Sequence, residues 1–161
     1  MHLAPTTGET MIKFLFVRHA DIDTQPPSAS PDPPGPPLSA AGRSRAEALA
    51  HVVGAAGITH IFTSEFLRTQ QTVDPVARKL GLTHRPAREA QVRAMRSAVD
   101  GSVILIAGHS NTVPQMITSL GVLPALENLG AHEFDNLFVL TIGSATGPAA
   151  LVRLKYGEPS A

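Results

Sequence analysis

The sequence contains no cysteine and no tryptophan, and aromatic residues make up only 4% of its 161 residues. Without cysteine the chain can form no disulfide, no catalytic thiolate and no cysteine-ligated zinc site. The absence of cysteine fits a protein of a reducing compartment, and we expect a cytoplasmic protein. Because aromatic side chains are scarce, the core must be built mainly from Ala, Val, Leu and Ile.

The sequence also lacks an excess of charge of one sign, since 13 Lys and Arg balance 13 Asp and Glu. A nucleic-acid partner is therefore not expected, because binding to a phosphate backbone needs a basic stripe. No apolar run approaches the roughly 20 residues of a membrane span, so no membrane partner is expected either. The first apolar segment, residues 11–17, is too short for a signal-peptide core followed by a cleavage site.

The apolar segments that are present predict alternating strands and helices. Two runs, residues 12–17 and 102–107, are almost continuously apolar, as in strands buried on both faces. Four weaker segments also favour strands: residues 58–63, 82–85, 137–142 and 149–154. Helical spacing or capping signals predict helices over residues 40–55, 65–80, 86–99 and 111–120.

This alternation predicts an α/β protein, a three-layer α/β/α sandwich with a mostly parallel central sheet and an antiparallel edge strand. The length suits a single domain, which we place at residues 11–157. Residues 1–10 are interpreted as an N-terminal extension or a tag. Ser39 and Ser64 are predicted as helix N-caps. Residues 21–37 hold half of the fourteen prolines and are predicted to be a loop without regular elements.

Unusual polar residues stand where three of the predicted strands end. Arg18 and His19 follow the first strand, Arg68 lies one turn after the Thr63–Ser64 strand end, and His109 follows the strand 102–107. In open α/β sheets, ligands bind at the carboxyl ends of the strands. If these strands are neighbours, two guanidinium groups and two imidazoles form one cationic pocket, which suits a tetrahedral oxyanion.

Such a pocket favours phosphoryl transfer, because the phosphoryl oxygens need charge neutralisation and a neutral imidazole can attack phosphorus. Neither a metal ion nor another cofactor is required if arginine and a second histidine supply the positive field. Four further histidines, His51, His60, His84 and His132, lack the spacing of a metal site.

Four segments together resemble the histidine phosphatase superfamily, the phosphoglycerate-mutase-like group. They are residues 16–20 (FVRHA), 37–42 (PLSAAG), 62–72 (FTSEFLRTQQT) and 107–111 (AGHSN), in the order of the family's blocks. The resemblance extends over residues 12–142. The chain is short and has no lid insertion, and in this respect it is similar to the members that remove phosphate from protein histidines.

The resemblance implies a role for each matching residue. His19 would be the nucleophile that becomes phosphorylated, Arg18 and Arg68 would hold the phosphoryl oxygens, and His109 would stabilise the transition state. Water would then hydrolyse the phosphohistidine. The expected enzyme is a metal-independent phosphatase, a phosphoric monoester hydrolase.

The proton donor for the leaving group is not specified by these blocks. Larger family members supply a glutamate after the second arginine block, and Glu89 is the nearest candidate here. Asp21 is another, and Glu133 and Asp135 are weaker ones. Without an acid, the enzyme would favour good leaving groups, such as the imidazole of phosphohistidine or an aryl oxide.

Three functions stay open at this point. The first is a phosphatase acting on a phosphorylated small molecule or a phosphoprotein, as a monomer or weak dimer. The second is a phosphoglycerate-type mutase, which is disfavoured because the chain lacks the insertions that hold and reorient an intermediate. The third is a non-catalytic module that binds phosphate or a phosphoprotein. Substrate specificity is expected to reside in residues 20–37 and 121–136.

Overall fold

The computed structural model of the protein describes residues 11–25, 29–97, 101–143 and 149–161. Residues 1–10, interpreted above as an extension or a tag, lie outside the described residues. The strands are β1 (Ile12–Arg18), β2 (Ser30–Pro31), β3 (Pro34–Gly35), β4 (His60–Thr63), β5 (His84–Pro86), β6 (Val103–Gly108), β7 (Asn136–Ile142) and β8 (Ala149–Lys155). The helices are α1 (Ala40–Val53), α2 (Leu67–Leu80), α3 (Glu89–Ala94) and α4 (Thr112–Ser119). Within the described ranges, no helix has the length and apolar character needed to cross a membrane.

Six strands form one mixed sheet in the order β5-β4-β6-β1-β7-β8. The first four of these strands run parallel to one another, β7 is antiparallel to β1, and β8 is antiparallel to β7. The continuous apolar runs of β1 and β6 place these two strands side by side at the centre, where both faces of the sheet are covered. The predicted α/β fold with a mostly parallel sheet and an antiparallel edge is confirmed.

Helices cover both faces of the sheet, so the sandwich has the three predicted layers. On one face, Val92 of α3 and Val113 and Ile117 of α4 pack in a cluster with Phe14 and Phe16 of β1. The other face is covered by α1 and α2, whose buried residues Leu49, Val53, Val73 and Val76 pack with Leu15 of β1. Alternate residues of β1 thus enter opposite cores, as the two-residue period of a strand requires.

The two predicted helix caps have different outcomes. Ser39 caps α1 as predicted, since its hydroxyl accepts a hydrogen bond from the backbone N–H of Gly42 at 3.1 Å. Ser64 does not cap α2, which begins at Leu67 with Phe66 as its N-cap residue. The prediction was wrong because the Ser64 hydroxyl is bonded instead to side chains near the strand ends, which are described below.

The prediction of a helix over residues 86–99 was also wrong about where the helix starts. Pro86 belongs to the edge strand β5, where it pairs with Thr63, and the helix α3 covers only Glu89–Ala94. An edge strand accepts proline because a missing N–H there leaves no ladder bond unmade. A 3₁₀ turn, Met95–Ser97, continues α3, and residues 98–100 lie outside the described residues.

The proline-rich segment is more regular than predicted. It contains a short antiparallel hairpin of β2 and β3, and Ile22 forms an isolated bridge with Leu38. Gly35 has a φ of 100°, a conformation that L side chains rarely adopt. The prediction of a loop without elements was therefore wrong for residues 30–35, while residues 26–28 lie outside the described residues.

Candidate active site

The predicted site residues meet at the carboxyl ends of the central parallel strands. Arg18 ends β1 opposite Gly108 of β6, and the backbone N–H of His19 donates to the Gly108 carbonyl at 2.8 Å. The rings of His19 and His109 lie with their centroids 5.4 Å apart. A cavity of about 580 Å³ opens here, which we call the His19 cavity. It is lined by Arg18, His19, Ile22, Pro36, Phe66, Arg68, His109, Ser110, Asn111 and Thr112.

The imidazole of His19 is buried, with 5% of the residue exposed, and its orientation is fixed. Its Nδ1 lies 2.8 Å from the carbonyl oxygen of Ala20. Because a carbonyl can only accept, Nδ1 carries the proton and Nε2 is the free nitrogen of the neutral ring. Burial, together with the positive charges of Arg18 and Arg68, lowers the pKa of His19 to about 3. The ring is therefore neutral at physiological pH.

The backbone after His19 is fixed by two helices. The N–H of Ala20 donates to the Thr72 hydroxyl of α2 at 2.8 Å. Gly42, in the first turn of α1, packs so closely on Asp21 that an added Cβ would lie 2.0 Å from the Asp21 carbonyl oxygen. This contact explains why glycine is needed in the 37–42 segment, and it ties the position of His19 to both helices.

The guanidinium of Arg18 is held by backbone carbonyls of the segment that leads into β7. One terminal nitrogen donates to the carbonyls of Gly130 at 2.9 Å and Glu133 at 3.0 Å, and the other donates to Ala131 at 3.1 Å. Its Cζ lies 4.1 Å from the centre of the Phe134 ring. The Nε is buried and has no hydrogen-bond partner among the described residues, whereas both terminal nitrogens are hydrogen-bonded to these carbonyls.

Arg68 and His109 stand together on the other side of the His19 cavity. A terminal nitrogen of Arg68 lies 3.4 Å from Nδ1 of His109, and its Cζ lies 4.5 Å from the Phe66 ring centre. The Nε2 of His109 is hydrogen-bonded to the Ser64 hydroxyl at 2.8 Å, and that hydroxyl also contacts Thr69 at 2.9 Å. Burial and the Arg68 charge lower the pKa of His109 to about 4, so both histidines are neutral near pH 7.

Among the four carboxylate candidates, Glu89 is the one that lines a cavity adjoining the His19 cavity, although it does not line the His19 cavity itself. It begins α3, where its carboxylate lies 3.9 Å from Arg93 in an exposed ion pair. Glu89 lines a second cavity of about 280 Å³, which we call the side cavity. The side cavity shares Phe66, His109 and Thr112 with the His19 cavity.

The other carboxylate candidates are bound to cations outside the His19 cavity. Asp21 pairs with Arg45 at 3.1 Å. Glu133 accepts from Asn136 and from the N–H of Gly130 and pairs with Arg153, and these hydrogen bonds lower the pKa of its carboxyl. A carboxyl with a lowered pKa is a poor proton donor near neutral pH.

Asp135 lies on the same side as Glu133 and is also engaged. It pairs with Lys155 at 3.1 Å and accepts from the N–H of Ser160, and hydrogen bonds from Ser160 and Lys155 lower its pKa against the opposing effect of burial. Its carboxylate is thus committed to anchoring the C-terminal segment.

Sequence reasoning missed several residues that shape the site. Ser64 and Thr72 lie inside the matched segment 62–72, so the motif contained the signal, but Ser64 was interpreted only as a cap. The carbonyls of residues 130–133 and the Phe134 ring gave no signal. They approach the site because β7 is antiparallel, so the segment before β7, not the one after it, lies beside the end of β1.

The sequence model of the histidine phosphatase superfamily (branch 1) matches residues 14–95, about half of the chain. Together with the α/β/α fold and the paired histidines and arginines at the strand ends, this match defines a phosphate-handling class of protein. The chain belongs to the histidine phosphatase superfamily, branch 1.

Solved structures share this fold at low sequence identity. The protein histidine phosphatase SixA complexed with tungstate is 18% identical, with 89% of this chain and 96% of that chain covered and a TM-score of 0.67. A mycobacterial glucosyl-3-phosphoglycerate phosphatase complexed with VO3 is 16% identical over 90% of this chain and 99% of that chain, with a TM-score of 0.67.

One curated relative matches a short part of the sequence. The PE-PGRS family protein PE_PGRS11 of Mycobacterium tuberculosis is 46% identical over 50 residues, which are 30% of this chain and 9% of that protein. The chain therefore spans under a tenth of the length of this relative.

Proposed function

We propose that this protein is a phosphatase that transfers a phosphoryl group from a phosphomonoester or a phosphohistidine to His19 and then to water. One observation carries the proposal: the Nδ1–H of His19 donates to the Ala20 carbonyl, which leaves Nε2 with a free lone pair inside a cavity lined by two arginines. A neutral, oriented imidazole is the form that can attack phosphorus.

In the first step, the Nε2 lone pair of His19 forms a bond to phosphorus. The bond from phosphorus to the leaving oxygen or nitrogen breaks, and its electron pair leaves with that atom. In the second step, a water oxygen attacks the phosphohistidine, the N–P bond breaks, and the electron pair returns to Nε2. The water proton passes to solvent, and inorganic phosphate is released.

The positive field for both steps comes from the side chains around His19. The guanidinium groups of Arg18 and Arg68, which line the His19 cavity, would donate to the phosphoryl oxygens. These contacts stabilise the negative charge of the oxygens in the transition state. An anion beside His109 raises its tendency to hold a proton, because opposite charges stabilise each other. His109 would then donate to the same oxygens from the nitrogen that faces Arg68.

This assignment is tested by phosphate release from 4-nitrophenyl phosphate in the presence of a chelator. We expect turnover by the unmodified protein, inhibition by vanadate, and a loss of at least about a thousandfold in His19→Ala, since the covalent route disappears. His51→Ala, on the exposed side of α1, is the matched control. Equal release by His19→Ala would rule out His19 as the nucleophile.

Glu89 is proposed as the proton donor for poor leaving groups, because it lines the side cavity that adjoins the phosphoryl position. Glu89→Gln should lower kcat for an alkyl phosphate by about tenfold to a hundredfold. The same change should leave 4-nitrophenyl phosphate nearly unaffected, because nitrophenolate departs without a proton. Equal effects on the two substrates would argue against Glu89 as the acid.

A non-catalytic phosphate-binding module is the second candidate. The observation in its favour is that no carboxylate of the described residues lines the His19 cavity. Tight binding of inorganic phosphate without turnover of any tested substrate would favour the module. A phosphoglycerate-type mutase would instead convert one phosphoglycerate isomer into another, which product analysis detects.

A further inference from the structure

The side cavity begins where the His19 cavity ends and extends away from the nucleophile. Along the sheet edge, the strand order β1-β6-β4-β5 places His19 first, His109 next, Ser64 after it and residues 87–89 last. The side cavity is lined by residues that follow β6, β4 and β5. It therefore lies on the far side of His109 from His19.

That direction matters because the attacking and leaving atoms are roughly in line in phosphoryl transfer. A phosphoryl group held against His19 projects its leaving group to the side opposite Nε2, and the side cavity offers space for it beyond His109, toward the ends of β4 and β5. The two cavities share the walls formed by Phe66, His109 and Thr112, so a leaving group passes from one to the other without crossing the sheet.

The interior of the side cavity is mostly apolar. Its lining includes Ile106, Ala107 and Met116, all nearly fully buried, together with Ala87 and the ring of Phe66. Its volume of about 280 Å³ exceeds the roughly 150 Å³ of an apolar cavity known to hold benzene. A flat ring fits this space, and apolar walls favour it because they remove its surface from water.

The charged side chains in the lining of the side cavity do not form an anion site. Glu65, Arg88 and Glu89 line it, so two carboxylates accompany the single guanidinium. A leaving group that carries a carboxylate or a second phosphate would meet as much repulsion as attraction. An uncharged ring has no such cost.

We propose that the side cavity is a leaving-group subsite selective for a compact, uncharged aromatic ring bonded to the phosphoryl group. This rests on the phosphatase function proposed above and names its substrate class. With an aryl phosphate, the P–O bond breaks and the ring departs as a phenolate. With a phosphoimidazole, the ring first takes a proton from solvent on its other nitrogen, the P–N bond breaks, and neutral imidazole departs.

A substitution that fills the side cavity tests the proposal. Ala87→Leu places a larger side chain in the lining, and Ala90→Leu makes the same change at an exposed position of α3 that lines neither cavity. We expect Ala87→Leu to lower kcat/KM for 4-nitrophenyl phosphate by about tenfold and to leave acetyl phosphate within about twofold, because acetate is too small to need the cavity. Equal changes for both substrates, or no change for either, would overturn the proposal.

A binding measurement on the unmodified protein is independent of turnover and of how the variant folds. Calorimetry should show phenylphosphonate binding about tenfold more tightly than methylphosphonate. Equal affinities would overturn the ring subsite even if phosphatase activity is present. If neither substrate is hydrolysed but phenylphosphonate is preferred, the proposed function fails and the subsite stands. Phosphoimidazole and phenyl phosphate distinguish an imidazole from a phenol as the ring, and hydrolysis of either in preference to acetyl phosphate supports the subsite.

Discussion

The protonation of His19 is set by two contacts of a single side chain. The Ala20 carbonyl keeps the proton on Nδ1, and burial beside two guanidinium groups makes the imidazolium unfavourable. Burial therefore opposes the charged ring more strongly than the Ala20 hydrogen bond favours it. This opposition to protonation lowers the free energy of unfolding when the solution becomes acidic.

The pKa of His19 is about 3 in the folded protein, below its ordinary value of 6.5. Below pH 6.5 the unfolded chain takes up a proton that the folded protein does not bind, so the free energy of unfolding falls as the pH drops from 6.5 towards 3. We expect the slope between pH 6.5 and 4.5 to be shallower in His19→Gln by about 1 kcal/mol per pH unit.

Urea unfolding at several pH values measures this slope, and His51→Gln controls for the loss of a histidine on the surface. Parallel slopes for the wild type and His19→Gln would mean that the folded protein binds this proton as readily as the unfolded chain does.

At the scale of elements, the β2–β3 hairpin lies beside the His19 cavity. Pro36, just after the hairpin, lines the His19 cavity, and the hairpin glycine packs on Arg68. A Cβ added at Gly35 would lie 2.7 Å from a terminal nitrogen of Arg68. The hairpin therefore limits where the Arg68 guanidinium can stand.

Gly35→Ala should displace Arg68 and weaken phosphate binding. We expect KM for 4-nitrophenyl phosphate to rise about tenfold, together with a loss of about 1–2 kcal/mol in stability from the positive φ. Gly57→Ala is the matched control, because Gly57 also has a positive φ but an added Cβ there meets nothing within 4 Å. A rise in KM of the same size in both variants would show that strain alone, and not contact with Arg68, is responsible.

The elements also show how far the sequence could be interpreted. β1 and β6 were predictable because a strand covered on both faces is apolar along most of its length. The start of α3 was not predictable, because Pro86 fits a first helical turn and an edge strand equally well. The pairing of Pro86 with Thr63 decides between the two. The carboxyl-end rule located His19, Arg68 and His109, but it says nothing about a segment that enters an antiparallel strand.

At the scale of the whole molecule, Arg45 joins the C-terminal segment to the loop after His19. It is buried in α1, pairs with Asp21, and donates to the carbonyls of Tyr156 and Glu158 at 3.1 and 2.9 Å. The loop after β1 and the C-terminal segment are thus held by one guanidinium. Breaking such a buried set leaves a carboxylate and two carbonyls without their donor.

Arg45→Ala should lower the free energy of unfolding by about 2–3 kcal/mol. Arg78→Ala is the control, because the Arg78–Glu47 pair is exposed on both sides and should change stability by less than about 0.5 kcal/mol. Thermal or urea unfolding compares the two variants. A loss no greater than that of Arg78→Ala would show that the C-terminal segment is held by its apolar contacts alone.

Because backbone carbonyls hold Arg18, substitutions in the segment that supplies them and changes in its length have different consequences. Main-chain oxygens are supplied by every amino acid, so the exposed residues Ala131 and His132 can change identity without loosening the guanidinium. A single insertion or deletion between residues 130 and 133 would shift all three oxygens at once. The length of this segment is thus constrained, whereas the identity of its exposed residues is not. Related chains can therefore differ there by substitutions rather than by insertions or deletions.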